Sequence, residues 1–275
     1  MSDKRPIGVF DSGIGGLTVL KSLLQYLPHE DYIYLGDTAR TPYGNKSAEA
    51  VRQYAGQITS FLASQDVKAI VVACNTVSAA AIETVKEKAW PVPVFEVISP
   101  LVMQAAHFVK QADSNRVGVL ATRRTVRSGQ YPKAMSTIVK DDVSVEQIAC
   151  PIFVELVEEG IWDGPFAKAA VDHYLAAWKA DAPDAVLLAC THFPLLKPLI
   201  ESFLPEAEVM ESGPAVSLVV ADALDRQERL NESEHIGECQ FYCTDTIESF
   251  VELAESFLGQ PVENIRQLDW KDVPC

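Results

Sequence analysis

Two cysteines occupy matching places in the chain. Cys74 and Cys190 each close an apolar run and precede a polar pair, in "AIVVACNTVSA" (Ala69–Ala79) and "AVLLACTHFPL" (Ala185–Leu195). They lie 116 positions apart, and a second pair of similar segments, "IGVFDS" (Ile7–Ser12) and "VGVLAT" (Val117–Thr122), lies 110 apart. Similar offsets in the same order point to two related halves, each offering a strand-end thiol and a strand-end hydroxyl. A thiol at the start of a helix is expected to ionise more easily, because the positive end of the helix dipole favours the thiolate. One such thiol would suit a nucleophile. Two matched thiols facing each other across a cleft suit inversion at a carbon, where one takes a proton from one face and the other returns a proton to the opposite face.

Other segments compete for attention. "DSGIGGLT" (Asp11–Thr18) invites a nucleotide-binding reading, with Asp37 near the place of a ribose-binding acid, yet the third glycine of G-x-G-x-x-G would fall on Thr18. The other reading is a tight turn that projects Asp11 and Ser12 into a cleft, with Asp11 orienting an ammonium group or sharing in proton transfer. "GDTARTPYG" (Gly36–Gly44) is too polar for a plain connector, and Tyr43 and Gly44 can offer an O–H and an N–H to a carboxylate. Cys239 and Cys243 share a strand face, but no second pair sits at zinc-site spacing, so no metal is expected. No G-x-S-x-G elbow occurs. His192, two residues after Cys190, leaves a Cys–His hydrolase open, although that chemistry gives Cys74 no work.

Something must hold these residues in place. Short apolar runs at Ile7–Phe10, Tyr32–Leu35, Val67–Ala73, Val92–Phe95, Arg116–Leu120, Val143–Ile148, Asp184–Ala189, Glu208–Met210 and Gln240–Cys243 read as strands. Helical patterns alternate with them, as where Leu17, Leu20, Leu24 and Leu27 share one face. This alternation predicts an α/β fold with mostly parallel sheets flanked by helices, whose ligands bind beyond the carboxyl ends of the strands. Turn-forming residues cluster at Ser99-Pro100 and at Ser212-Gly213-Pro214. No long linker separates the halves, so the cleft is expected at a tight interface between them.

Bulk properties narrow the classes. With 275 residues, 48% hydrophobic and 22% charged, the chain is expected to fold throughout. A net charge of −15 argues against nucleic-acid partners. A small anion can still be bound by backbone N–H groups at helix starts. No apolar run is long enough for a bilayer, so no membrane association is expected. Six cysteines without a secretory leader suggest reduced thiols and a cytoplasmic protein.

Taken in order, "FDSGIGGLTVL", "GDTARTPYG", "VACNTVSA", "ACPIFVELVEEG", "ACTHFPLL", "SGPAV" and "TDTIESFVELAESFLG" resemble the bacterial glutamate racemases of the cofactor-independent aspartate/glutamate racemase superfamily. The resemblance implies two pseudo-symmetric domains, residues 1–98 with 212–275 and residues 99–211, and an active site in the cleft between them. It implies that L- and D-glutamate are the substrates, that no cofactor is used, and that the protein is a homodimer supplying D-glutamate for peptidoglycan. Cys74 would take the α-proton of D-glutamate and Cys190 that of L-glutamate, with Asp11 helping the first thiol and His192 the second. Glu158 matches a family glutamate with a catalytic role. Asp11, Ser12, Tyr43, Gly44, Asn75, Thr76, Thr122, Thr191 and His192 match residues that bind substrate. Three positions depart from the family pattern: Ala121 stands for a common glycine, Glu155 for a frequent proline and Phe193 for the usual tyrosine. An aspartate racemase, a nucleotide-dependent enzyme and a partner-binding role such as gyrase inhibition are the rival readings.

Overall fold

The computed structural model describes residues 3–112, 115–139 and 143–272. From the N-terminus it runs β1 (Ile7–Asp11), α1 (Leu17–Tyr26), β2 (Tyr32–Gly36), α2 (Ala48–Ser64), β3 (Ala69–Val72), α3 (Asn75–Ala89), β4 (Val94–Glu96) and α4 (Ile98–Ala112). Next come β5 (Arg116–Ala121), α5 (Arg123–Ser128), α6 (Gln130–Ser136), β6 (Ser144–Ala149), α7 (Pro151–Glu158), α8 (Gly164–Leu175), β7 (Ala185–Ala189), α9 (Lys197–Phe203) and β8 (Glu208–Glu211). The chain continues through α10 (Ser212–Arg226), β9 (Cys239–Cys243), α11 (Ile247–Leu258) and β10 (Ile265–Gln267). The expected strands are all present, with ends shifted by a few residues. β10 is an addition: it is short and half exposed, and it lacks the apolar run that marks the others.

The strands form two parallel sheets, ordered β10-β9-β2-β1-β3-β4 and β6-β5-β7-β8. β1, β2, β3 and β7 are buried along their whole length, because helices cover both faces of each sheet; their sequences are therefore continuous apolar runs rather than alternating ones. Two helices carry the chain between sheets. The outgoing one, α4, is capped by Glu96, whose carboxylate accepts from the N–H groups of Ile98 (2.6 Å) and Ser99 (2.8 Å). The returning one, α10, packs on α1 and α4.

One cluster of buried apolar side chains includes Val9 and Val71 of the first sheet together with Val186 and Leu188 of the second. The halves thus share a continuous core, which is what holds their strand ends in a fixed relation. No described helix is long and apolar enough to cross a membrane.

Candidate active site

Cys74 follows β3 and caps α3, a helix of 15 residues. Parallel pairing of β3 with β1 sets it beside the end of β1, where Asp11 and Ser12 emerge. The thiol, 4% exposed, donates to Ser12 Oγ across 3.6 Å. Its pKa moves opposite to the expectation from the helix dipole. Burial pushes it up to about 12, the nearby Asp11 carboxylate adds to the rise, and hydrogen bonds from Val77 N–H and Ser12 recover only part of it. Desolvation outweighs the dipole, so Cys74 rests as a thiol.

Cys190 follows β7, but no α-helix starts there. A 3₁₀ turn, Phe193–Leu196, intervenes before α9 begins at Lys197. The helper comes instead from the turn itself: His192 Nδ1 lies 3.9 Å from Cys190 Sγ, and Nε2 lies 3.0 Å from Glu158 Oε1 at the end of α7. Burial alone would push His192 down. Its hydrogen bonds and charge interactions with Cys190 and Glu158 reverse this and hold it up at about 10, so it is an imidazolium near neutrality. Phe257 of α11 packs edge-on against the ring at 6.0 Å. Gly15 passes so close that a Cβ there would meet the His192 ring and Thr191 Oγ1 at 2.5 Å, so the β1 turn needs glycine at this position.

Both thiols line one tight cavity of about 20 Å³, far below the range of about 300–1,000 Å³ for small-molecule pockets, so it must widen to admit a ligand. Ser12, Tyr43, Gly44, Asn75, Thr76, Thr122, Thr191 and His192 line it with them. None of its lining residues is Lys or Arg, so its donors are hydroxyls, thiols, the Asn75 amide, the His192 ring and backbone N–H groups. Asn75 shows how these are aimed. Its Oδ1 accepts from Tyr131 O–H (2.6 Å) and Ser212 Oγ (3.5 Å), while its buried Nδ2 has no protein partner. An amide N–H without a protein partner in a cavity wall is a donor available to a ligand. Thr76 Oγ1 meets Thr122 Oγ1 at 3.0 Å and Thr125 Oγ1 at 3.4 Å, joining α3 to the start of α5.

Three expected residues have different surroundings from those anticipated. Asp11 is fully buried and is not among the lining residues; its oxygens accept from Gly13 N–H (3.1 Å) and Thr191 Oγ1 (3.4 Å), and burial raises its pKa. Tyr43 does line the cavity, but its O–H is given to Asp37 and is not free for a carboxylate. Glu158 stands behind His192 rather than in the wall, while its neighbour Glu159 is exposed. Asp37 is no ribose ligand: its carboxylate is taken up by Tyr43, Arg40, Thr244 and Trp270. Thr41, Pro42 and Val154 also line the cavity; they lie within "GDTARTPYG" and "ACPIFVELVEEG" but carry no individual signal there. Tyr131, the partner of Asn75, lies 56 residues away from it and was equally hidden. No group of three or more His, Cys, Asp or Glu side chains able to hold a metal ion occurs among the described residues.

Residues 7–216 match the family model of Asp/Glu/hydantoin racemases. A glutamate racemase of Thermus thermophilus is 44% identical over 273 residues, covering 98% of each chain. The crystal structure of glutamate racemase from Francisella tularensis in complex with D-glutamate superposes with a TM-score of 0.90 at 36% identity, covering 98% of each chain. That of glutamate racemase from Thermus thermophilus in complex with β-chloro-D-alanine gives 0.87 at 42% identity, covering 99% of this chain and all (100%) of the other.

Proposed function

This chain belongs to the Asp/Glu/hydantoin racemase family, and from that premise we propose that it interconverts L- and D-glutamate by cofactor-independent proton transfer between two thiols. The observation that carries this is the presence of Cys74 and Cys190 in one cavity, each from a different sheet and each with its own polar helper.

Cys190, beside an imidazolium, is the base toward L-glutamate, and Cys74, held as a thiol by burial, is the acid that delivers a proton to the opposite face. For D-glutamate the roles reverse. Ser12, Asn75, Thr76, Thr122 and Thr191, with backbone donors around Tyr43 and Gly44, hold the substrate's charged groups. Asp11 sets the field at Cys74, and Glu158 acts through His192. An α-proton beside a carboxylate is a poor acid, and the barrier must fall by at least about 8 kcal/mol. A closed cavity lined by fixed donors is the means, since donors in a dry site need no reorganisation as charge develops at Cα.

The partition into residues 1–98 with 212–275 and 99–211 fits the division of strands between the two sheets. Its ends at residues 1–2 and 273–275 lie outside the described residues. A homodimer would bury part of the apolar side chains that the surface exposes, Met103 of α4 and Leu218 of α10 among them, and sedimentation would detect it. Supply of D-glutamate for peptidoglycan follows as the role of the product.

The test is incubation of L-glutamate with the protein in deuterated water and no added cofactor. Optical rotation is expected to decay to zero while deuterium enters Cα. Persistent rotation would defeat the proposal.

A further inference from the structure

The segment Thr41–Gly44 forms one wall of the cavity, yet its anchor lies elsewhere. Asp37, fully buried at the end of β2, is the hub. One oxygen, Oδ2, accepts from Tyr43 O–H and from Arg40 Nε (2.6 Å). The other, Oδ1, accepts from Thr244 Oγ1 (2.9 Å) and from the indole Nε1–H of Trp270 (3.2 Å). Four donors on two oxygens leave this buried carboxylate well satisfied.

Arg40 is fixed from both sides. Its guanidinium stacks between the rings of Tyr54 (4.1 Å) and Trp270 (4.2 Å), and Nη1 donates to Gln57 Oε1 (2.6 Å). Thr244 also accepts from Ala39 N–H (3.0 Å), and Thr38 Oγ1 accepts from the N–H groups of Thr244 (3.2 Å) and Asp245 (2.9 Å). The wall therefore rests on the loop after β9 and on a side chain near the end of the chain. Trp270 lies beyond the family match, which ends at residue 216.

We propose that Trp270 is a positioning residue for racemisation, holding the Thr41–Gly44 wall in register through Arg40 and Asp37. Trp270 is not among the lining residues of the cavity, so it acts only through others. Its indole supplies both a donor to Asp37 and a face to the guanidinium. Without it Arg40 keeps one ring and Asp37 loses one donor, so the wall carrying Thr41 and Gly44 is less well fixed before substrate arrives. This wall is remote from the two thiols in the chemistry it does: it binds, and it moves no proton. The effect therefore falls on substrate affinity rather than on turnover.

The inference rests on the racemase reading; wild-type turnover of glutamate checks that reading by itself, whereas the inference is read from variants against wild type. Kinetics in both directions and thermal midpoints are measured for Trp270→Ala, Trp270→Phe and Arg40→Lys in the full chain. Trp270→Ala should raise KM about tenfold for both enantiomers with kcat within about threefold. Trp270→Phe, which keeps a ring over the guanidinium, should bring KM back to within about threefold of wild type. The Trp270→Ala/Arg40→Lys double variant should be no worse than Arg40→Lys alone, since both act through one chain of contacts. An unchanged KM in Trp270→Ala, even with a lower thermal midpoint, would overturn the proposal, as would full additivity in the double variant. If Trp270→Ala does not fold, Arg40→Lys decides, the same rise in KM being expected and its absence overturning the idea.

Discussion

The surroundings of Cys74 and Cys190 differ more than their matching places in the chain suggest. Cys74 caps the start of a long α-helix, with a serine hydroxyl as its partner and the buried Asp11 carboxylate close by. Cys190 has a 3₁₀ turn in place of that helix, with an imidazole as its partner and Glu158 behind it. A reaction that runs both ways needs a proton-carrying group on each face of the substrate, and the two sheets provide that symmetry. It does not need equal helpers. The resting site holds a thiol kept protonated by burial on one side and a thiol beside an imidazolium on the other, and turnover exchanges the roles of acid and base.

Removal of either thiol is the harshest way to break this comparison. Cys74→Ala and Cys190→Ala should each lower racemisation by at least about a thousandfold, some 4 kcal/mol of transition-state stabilisation. The survivors should differ: Cys74→Ala retains exchange of the α-proton of L-glutamate with solvent, and Cys190→Ala that of D-glutamate. Proton NMR in deuterated water reads both, and undiminished racemisation by either variant would end the two-thiol scheme.

A milder change separates the helpers. Glu158→Gln should lower kcat/KM about tenfold. The loss must be equal in both directions, because enantiomers have equal free energies. The asymmetry should appear instead in the α-deuterium isotope effect, growing for L-glutamate, whose proton goes to Cys190, and staying nearly constant for D-glutamate. Equal growth for both would mean that Glu158 serves the two thiols alike.

The smallest effect expected is on pH dependence. His192 is held at about 10 and Cys74 at about 12, so raising the pH from neutrality discharges the His192 side first. Activity should fall with an apparent pKa near 10, and Glu158→Gln should move that limb down by about one unit, since the carboxylate is one cause of the rise. The stability linkage has the same sign. His192 binds its proton more tightly when folded, so its contribution is complete below its ordinary 6.5 and lost as pH passes about 10. Urea titrations between those limits should show a declining midpoint, and a flat one would contradict the assignment.

Much of this was legible in the chain. Continuous apolar runs marked strands buried on both faces, as at Ala69–Val72 and Ala185–Ala189, and the residues after them proved to line the cavity. The polar segment "GDTARTPYG" does reach the cavity through Thr41, Pro42, Tyr43 and Gly44, but the Tyr43 O–H is donated to Asp37 and is not free. Local pattern reports burial and backbone preference, and these depend on near neighbours.

Partners distant along the chain leave no such trace. Nothing near Asn75 points to Tyr131, and nothing near Asp37 points to Trp270, because those meetings depend on how two sheets and a returning segment stack. The thiols illustrate the same division. Sequence by itself determined that two strand-end cysteines exist in similar settings. Only the tertiary structure decided that both enter one closed cavity, and that burial holds Cys74 protonated against the pull of its helix dipole. The physical reason is that a helix start is a local property, whereas desolvation is set by everything packed around the group.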